Sequence, residues 1–331
     1  MALNTNLSTS NTAATASTRG NDLSPSMQTY YNKKLLKDMK PKLVHMQFGQ
    51  KKPIPANNGK TIKFRKYTPF AARLTALTEG LPGDGQSLTM VDKVASISQY
   101  GGFVAISDLL DLTALDPVVN DAVEQMADQG ALTLDTLVRD ELTAGADATN
   151  VIYAAGTTRT GIATTDKLTS VLLRKAVRAL KKAKTPMFSG SGGRPHYIAI
   201  VGPDTTYDLQ DDASWKAVAE YQDKEAIYSG EIGRLYGVRI IETTESKIFA
   251  AAGAGTPKAD IAATLVIGKD AYGIIDVGGD GAVKTIVHPC GSAGTADPLD
   301  QVSTVGWKVP AFTCRILMPE RIVRIEHGVS A

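Results

Sequence analysis

The chain has 331 residues, 43% of them hydrophobic and 21% charged, enough apolar material for a core and too little charge imbalance for wholesale disorder. No uninterrupted apolar run reaches ten residues, which excludes a bilayer-spanning helix of the usual ~20 residues. The net charge of +2 conceals a division: Met1–Arg73 holds thirteen Lys and Arg against Asp22 and Asp38, or +11, leaving −9 on residues 74–331. A basic arm on an acidic body suits self-association, one subunit's arm lying across the next, and it also suits phosphate. A merely solvated face is the plain alternative.

The first 22 residues, MALNTNLSTSNTAATASTRGND, carry no apolar block behind a basic head. They read as no secretory signal but as a mobile tail over 1–23. Ser24 as cap and Pro25 at the first position open a helix through Tyr31, Leu35, Leu36 and Met39, closed by Pro41. Lys33, Lys34, Lys37, Lys40 and Lys42 make this arm, residues 1–58, the most basic stretch of the chain.

Residues 59–112 spell two strand-like limbs. TIKFRKYTPF alternates Ile62 and Phe64 with Lys63 and Arg65, and KVASISQYGGFVAI mixes Val94, Ile97, Tyr100 and Phe103 with polar residues. Between them Pro82, Gly83, Asp84 and Gly85 form a turn-rich tip. Each limb reaches about 35–45 Å at ~3.3 Å per residue, and an isolated two-stranded ribbon is marginal in water. The expected partner is therefore a neighbouring molecule, with Ile62, Phe64, Val94, Ile97 and Tyr100 buried only in the assembly.

Asp116 and Pro117 open the clearest helix, residues 116–144, whose apolar positions run from Val119 to Val138 at spacings of three and four. A second amphipathic helix is expected over 166–184, burying Leu168, Val171, Leu172, Ala176 and Leu180, and a third over 203–221. Apolar strands at VIYAA, YIAIVG, GVRIIET, ATLVIG and YGIIDV alternate with these helices, and VKTIVHP, FTCRILMP and RIVRIEHG alternate as antiparallel sheet does. The fold class is α+β, with a central α/β region.

Catalytic ingredients are sparse. His45, His196, His288 and His327 show no zinc-ligand spacing, and there is no GxxxxGK phosphate loop or GxSxG elbow. GSGG (190–193) and GGDG (278–281) do not open a helix after a strand. Asp204, Asp208, Asp211 and Asp212 read as a solvated patch, Trp215 and Trp307 as packing residues, and Cys290 and Cys314 as reduced thiols. No cofactor, metal or catalytic residue is expected, nor a membrane partner.

The order of these segments resembles the major capsid proteins of tailed bacteriophages, the Hong Kong-type coat fold. TEGLPGDG, SQYGGFVAISDLLDL, YIAIVGPDTTYDL, IYSGEIGRLYGVRIIET and DPLDQVSTVGWK are similar to stretches of the coat proteins of N4-like phages in particular. The resemblance implies a shell subunit forming hexamers and pentamers around double-stranded DNA, located in the virion and assembled in the host cytoplasm. Decoration, scaffolding and portal proteins are further partners it suggests. It implies an N-terminal arm (1–58), an extended hairpin loop (59–112), a peripheral domain (113–160 and 285–331) holding the spine helix, and an axial domain (161–284). The arm and hairpin are expected to contact neighbours through Lys33, Lys34, Lys37, Ile62, Phe64, Arg65, Tyr67, Glu79, Asp84, Val94, Ile97 and Tyr100. A cellular nanocompartment shell of the same fold and a nucleic-acid-binding protein using the basic arm are the alternatives.

Overall fold

The computed structural model describes residues 34–35, 43–53, 60–68, 70–76, 79, 85–113, 118–145, 150–189, 195–212, 215, 231–275, 283–292 and 297–329. The expected tail at 1–23, the Ser24 cap, Asp84, Asp116 and both glycine-rich loops lie outside them. In chain order the main elements are β1 (Gln50–Lys52), β2 (Thr61–Tyr67), β3 (Met90–Ser96), β4 (Ser98–Ser107), α1 (Asp108–Thr113), α2 (Val118–Gly145), β5 (Val151–Tyr153) and α3 (Ser170–Lys182). There follow β6 (Tyr197–Val201), α4 (Pro203–Gln210), β7 (Glu231–Leu235), β8 (Val238–Glu242), β9 (Lys247–Phe249), β10 (Ile261–Ile267) and β11 (Tyr272–Ile275). The chain returns through β12 (Lys284–His288), β13 (Val302–Phe312), β14 (Cys314–Ile316) and β15 (Ile322–Gly328).

The centre is a mixed sheet in the order β5-β15-β10-β6-β8-β7, with β9 also paired to β10. Every residue of β6 and β10 is buried, as strands covered on both faces must be. Alternation sorts their side chains between two cores. Ile198, Ile200, Leu265 and Ile267 pack with Leu134, Val138 and Leu142 of α2, while Tyr197, Ala199, Val201 and Val266 pack with Leu172, Leu173, Ala176 and Leu180 of α3. The two helices therefore cover opposite faces of one sheet.

At ~1.5 Å per residue the 28 residues of α2 span about 42 Å. Besides the central sheet, α2 touches a second sheet of order β12-β13-β4, through Val305, Trp307 and Val309. The Trp307 indole donates to Gln129 Oε1 at 3.0 Å. A third sheet, β1-β11-β14, closes the body. The expected peripheral block 285–331 is thus divided: β12 and β13 build the second sheet, whereas the buried run of β15 lies inside the central one.

Several local expectations are corrected. The helix over 166–184 begins at Ser170, where Asp212 Oδ2 accepts from the Ser170 amide at 2.9 Å. Val171 is 54% exposed, because the buried stripe follows positions 172, 173, 176, 177 and 180 instead. The aspartates near 204–212 are not simply a solvated patch. Asp208 is buried and meets Lys167 Nζ at 2.8 Å. Three of the four histidines are buried. His45 holds Asp135 of α2 twice, the amide donating to Oδ1 at 2.8 Å and Nδ1 lying 2.6 Å from Oδ2. Tyr272 donates its hydroxyl to the His45 carbonyl. This network anchors the start of the arm's last segment to the spine helix.

Candidate assembly surface

The second limb of the expected hairpin is two strands. β3 pairs with β2 in register from Thr61↔Ser96 to Tyr67↔Met90, but after Ile97 the chain changes sheets and β4 pairs with β13 from Val302↔Ser107 to Phe312↔Ser98. Glycine makes the second pairing possible. A Cβ on Gly101 would lie 2.7 Å from the Trp307 carbonyl oxygen, and one on Gly306 would lie 2.9 Å from that of Gly102.

The ribbon β2–β3 also has a core, contrary to expectation, and supplies it at its base. Ile62 is 1% and Phe64 3% exposed, packed with Ala95, Ile275 and Leu317 of the same chain. Gly273 of β11 lacks the side chain that would fill Phe64's place: a Cβ there would fall 2.4 Å from the ring. Lys52 stands 5.5 Å over the same ring and donates to the Lys63 carbonyl. Farther out, Lys66 Nζ meets Glu320 Oε1 at 2.9 Å. Burial pushes the Glu320 carboxyl up, but the Lys66 bond and its neighbours outweigh it and hold the group below its usual value. Ile62 and Phe64 thus dock the ribbon on its own body, so they are not surfaces held in reserve for a neighbour.

What remains open among the described residues is the other ribbon face and the stretch beyond its base. Because paired residues project to the same side, Lys63/Val94, Arg65/Asp92 and Tyr67/Met90 form the outward face. Val94 and Tyr67 are each 50% exposed, and Arg65 Nε lies 3.4 Å from Asp92 Oδ1. Glu79 is exposed. Ile97 and Tyr100 are half-buried, Tyr100 meeting Phe312 edge-on at 6.2 Å. Lys34 is drawn to α2, its Nζ 3.6 Å from Glu124 Oε1. Lys33, Lys37 and Asp84 lie outside the described residues.

Of the nineteen described large apolar residues that stand exposed, eleven fall between Tyr67 and Leu112. Leu74 (93%), Leu112 (85%) and Phe103 (76%) are the barest. Runs of bare apolar residues on consecutive elements suit an interaction surface, whereas scattered exposed apolar residues mark nothing. Sequence reading missed the leucines of α1, Leu109, Leu110 and Leu112, although the run LLDL in a six-residue helix was the available signal. Among the described residues no group of His, Cys, Asp and Glu is placed to hold a metal ion, and no helix is long and apolar enough to cross a membrane.

A body of three sheets with a spine helix, carrying a ribbon whose outward face holds Val94, Tyr67 and Met90 beside Lys63, Arg65 and Asp92, suits a subunit that meets others. The comparisons agree. The family model for phage capsid protein matches residues 91–325, and the chain belongs to that family. It is a structural capsid protein. The capsid of Ralstonia phage GP4 superposes with a TM-score of 0.71 at 16% identity, covering 86% of this chain and 88% of that one. The cyanophage Pam1 capsid subunit gives 0.62 at 16% identity, covering 82% and 86%. The SrpI encapsulin of Synechococcus elongatus PCC 7942 gives 0.56 at 8% identity, covering 89% and 91%. No curated protein sequence matches significantly.

Proposed function

We propose that this protein is the major capsid subunit of a tailed phage, closest to the N4-like coat proteins, and that it assembles in the host cytoplasm into hexamers and pentamers enclosing double-stranded DNA. The observation that carries the reading is the concentration of exposed apolar side chains along residues 67–112, beyond a ribbon base docked on its own body. A ribbon fixed at one end and bare at the other is a lever for reaching a neighbour. Each Val, Leu, Phe or Met it buries there contributes about 1.5–3 kcal/mol. A few such side chains per contact suffice, because a closed shell repeats every contact many times.

Residues 161–284 form the axial unit of this subunit and residues 113–160 with 285–331 its peripheral unit, β5 and β15 of the latter extending the central sheet. The outward ribbon residues Arg65, Tyr67, Glu79, Asp84 and Val94 meet the adjacent subunit, as does the arm with Lys33 and Lys37, while Lys34 ties the arm to its own α2. Decoration, scaffolding and portal proteins complete the particle. Replacing residues 69–88 by an Asn-Gly turn tests the lever. The variant is expected to keep the parent's circular dichroism and unfolding midpoint yet to sediment as free subunits. Normal particles from it would remove the ribbon from assembly.

A further inference from the structure

We infer that the outward face of α3 docks the phosphodiester backbone of duplex DNA, without reading its sequence. The inference rests on the shell reading above, since it assigns the surface that such a shell turns toward its contents. The helix sequence SVLLRKAVRALKK holds Arg174, Lys175, Arg178, Lys181 and Lys182 and no acid. With Leu172, Leu173, Ala176 and Leu180 committed to the sheet, the cations fall on the opposite side. At 100° per residue Arg174, Arg178 and Lys181 share an arc of about 60°, and they are spread over roughly 10 Å of helix.

Three observations separate this face from ordinary surface charge. Several cations elsewhere are matched by the chain's own carboxylates, Lys66 by Glu320, Arg139 and Lys247 by Asp140, Arg159 by Glu326, Lys167 by Asp208 and Arg315 by Glu141, whereas five cations stand together on one short helix here. Among the described residues, no carboxylate pairs with any of the five on α3. Next, Arg174, Arg178, Lys181 and Lys182 line a trough of about 550 Å³ with Val177 and Tyr236. Finally, Tyr236 sits at φ 51° beside Gly237 at φ 79° in the two-residue β7–β8 turn. Such turns favour Asn or Gly, and a bulky residue there is strained. The turn presents the Tyr236 ring, 44% exposed, with the Arg174 guanidinium 5.3 Å from its centroid.

The helix dipole favours Lys181 and Lys182 in the last turn, but it does nothing for Arg174 and Arg178 farther in. A row of cations spaced along one helix face suits successive phosphates, the sequence-independent part of nucleic-acid binding. The test uses the full-length chain held unassembled at nanomolar concentration, a fluorescent 30-base-pair duplex, and anisotropy measured across a salt series. Compared with the parent, the variant Arg174→Gln/Arg178→Gln/Lys181→Gln is expected to bind about 10- to 100-fold more weakly. Its plot of log affinity against log salt should be shallower by roughly 2 to 3, near 0.9 per lost phosphate contact, and the loss should be the same for two unrelated duplex sequences. Unchanged affinity and slope would overturn the inference. So would retained duplex binding with lost assembly, which would assign the cations to an acidic surface of a second copy. Electron microscopy of the same preparations, concentrated, keeps the questions apart: if the parent itself forms no shells, the shell reading fails whatever the duplex does.

Discussion

Phe64 shows how a single contact redirects the reading of a whole segment. Its alternation with Lys63 and Arg65 was legible as a strand with one apolar face, but the cover for that face, Gly273 with Ile275 and Leu317, lies more than two hundred residues away and leaves no local trace. Phe64→Ala should destabilise the isolated subunit by about 3–5 kcal/mol, the usual cost of emptying an aromatic site. Gly273→Ala should cost about 1–3 kcal/mol by overpacking against the ring. Urea unfolding of unassembled protein measures both, and parental stability in both variants would return Phe64 to the intersubunit surface. The buried pair of His45 and Asp135 was equally hidden, because a histidine outside any ligand spacing does not announce a carboxylate ninety positions on. His327 is a second buried histidine. Its Nδ1–H donates to the Gly328 carbonyl, so Nε2 accepts from Thr264 at 3.0 Å. Burial first of all pushes its pKa below 6.5. A depressed folded value means that its contribution is complete above pH 6.5 and is lost as the pH falls toward the lower folded value. The subunit should therefore lose stability in that interval, and His327→Gln, neutral throughout, should flatten that part of the pH–stability curve.

The strands and helices of the body were readable because period two and period 3.6 are strong signals in buried elements. YIAIV, ATLVI and the spine helix all appear where their patterns put them. The long limb from Lys93 to Ile106 was read as one strand because alternation continues across Ile97. Only the change of hydrogen-bond partner, from β2 to β13, divides it. The ribbon's seat is electrostatic as well as apolar. Since Glu320 titrates below its usual 4.5 in the fold, its attraction for Lys66 is present above that value and fades as the pH falls through the lower one. Protease cleavage within residues 69–88 should be unaffected by this, whereas the hydrogen-exchange protection of β2 and β3, relative to the intrinsic rate, should fall as the pH drops below 4.5. Lys66→Ala should bring the same loss of protection to neutral pH. Equal protection in parent and variant would show that Ile62 and Phe64 seat the ribbon alone. Both carboxylate and amine are partly exposed, so the expected effect on global stability is small.

The division of charge between arm and body and the order of elements were legible in the sequence, and with the resemblance of its segments to coat proteins they pointed to a shell subunit. What coordinates added is where that subunit is finished and where it is not. The spine helix, the central sheet and the ribbon base are complete within one chain, while eleven described large apolar side chains between Tyr67 and Leu112 are left to be covered. Because many weak, partly charged contacts accumulate around a closed shell, assembly should respond steeply to concentration and should shift with ionic strength. The most direct measurement is cryo-electron microscopy of the purified full-length chain, concentrated and examined without other proteins. The account predicts closed shells built of hexamers and pentamers, with the ribbon beyond Tyr67 lying on the adjacent subunit, the bare side chains of Phe103, Leu109, Leu110 and Leu112 covered by a neighbour, and the base at Ile62 and Phe64 still seated on its own β11. A chain that stays monomeric at every concentration and salt examined would contradict it, as would shells in which residues 67–112 touch no neighbour.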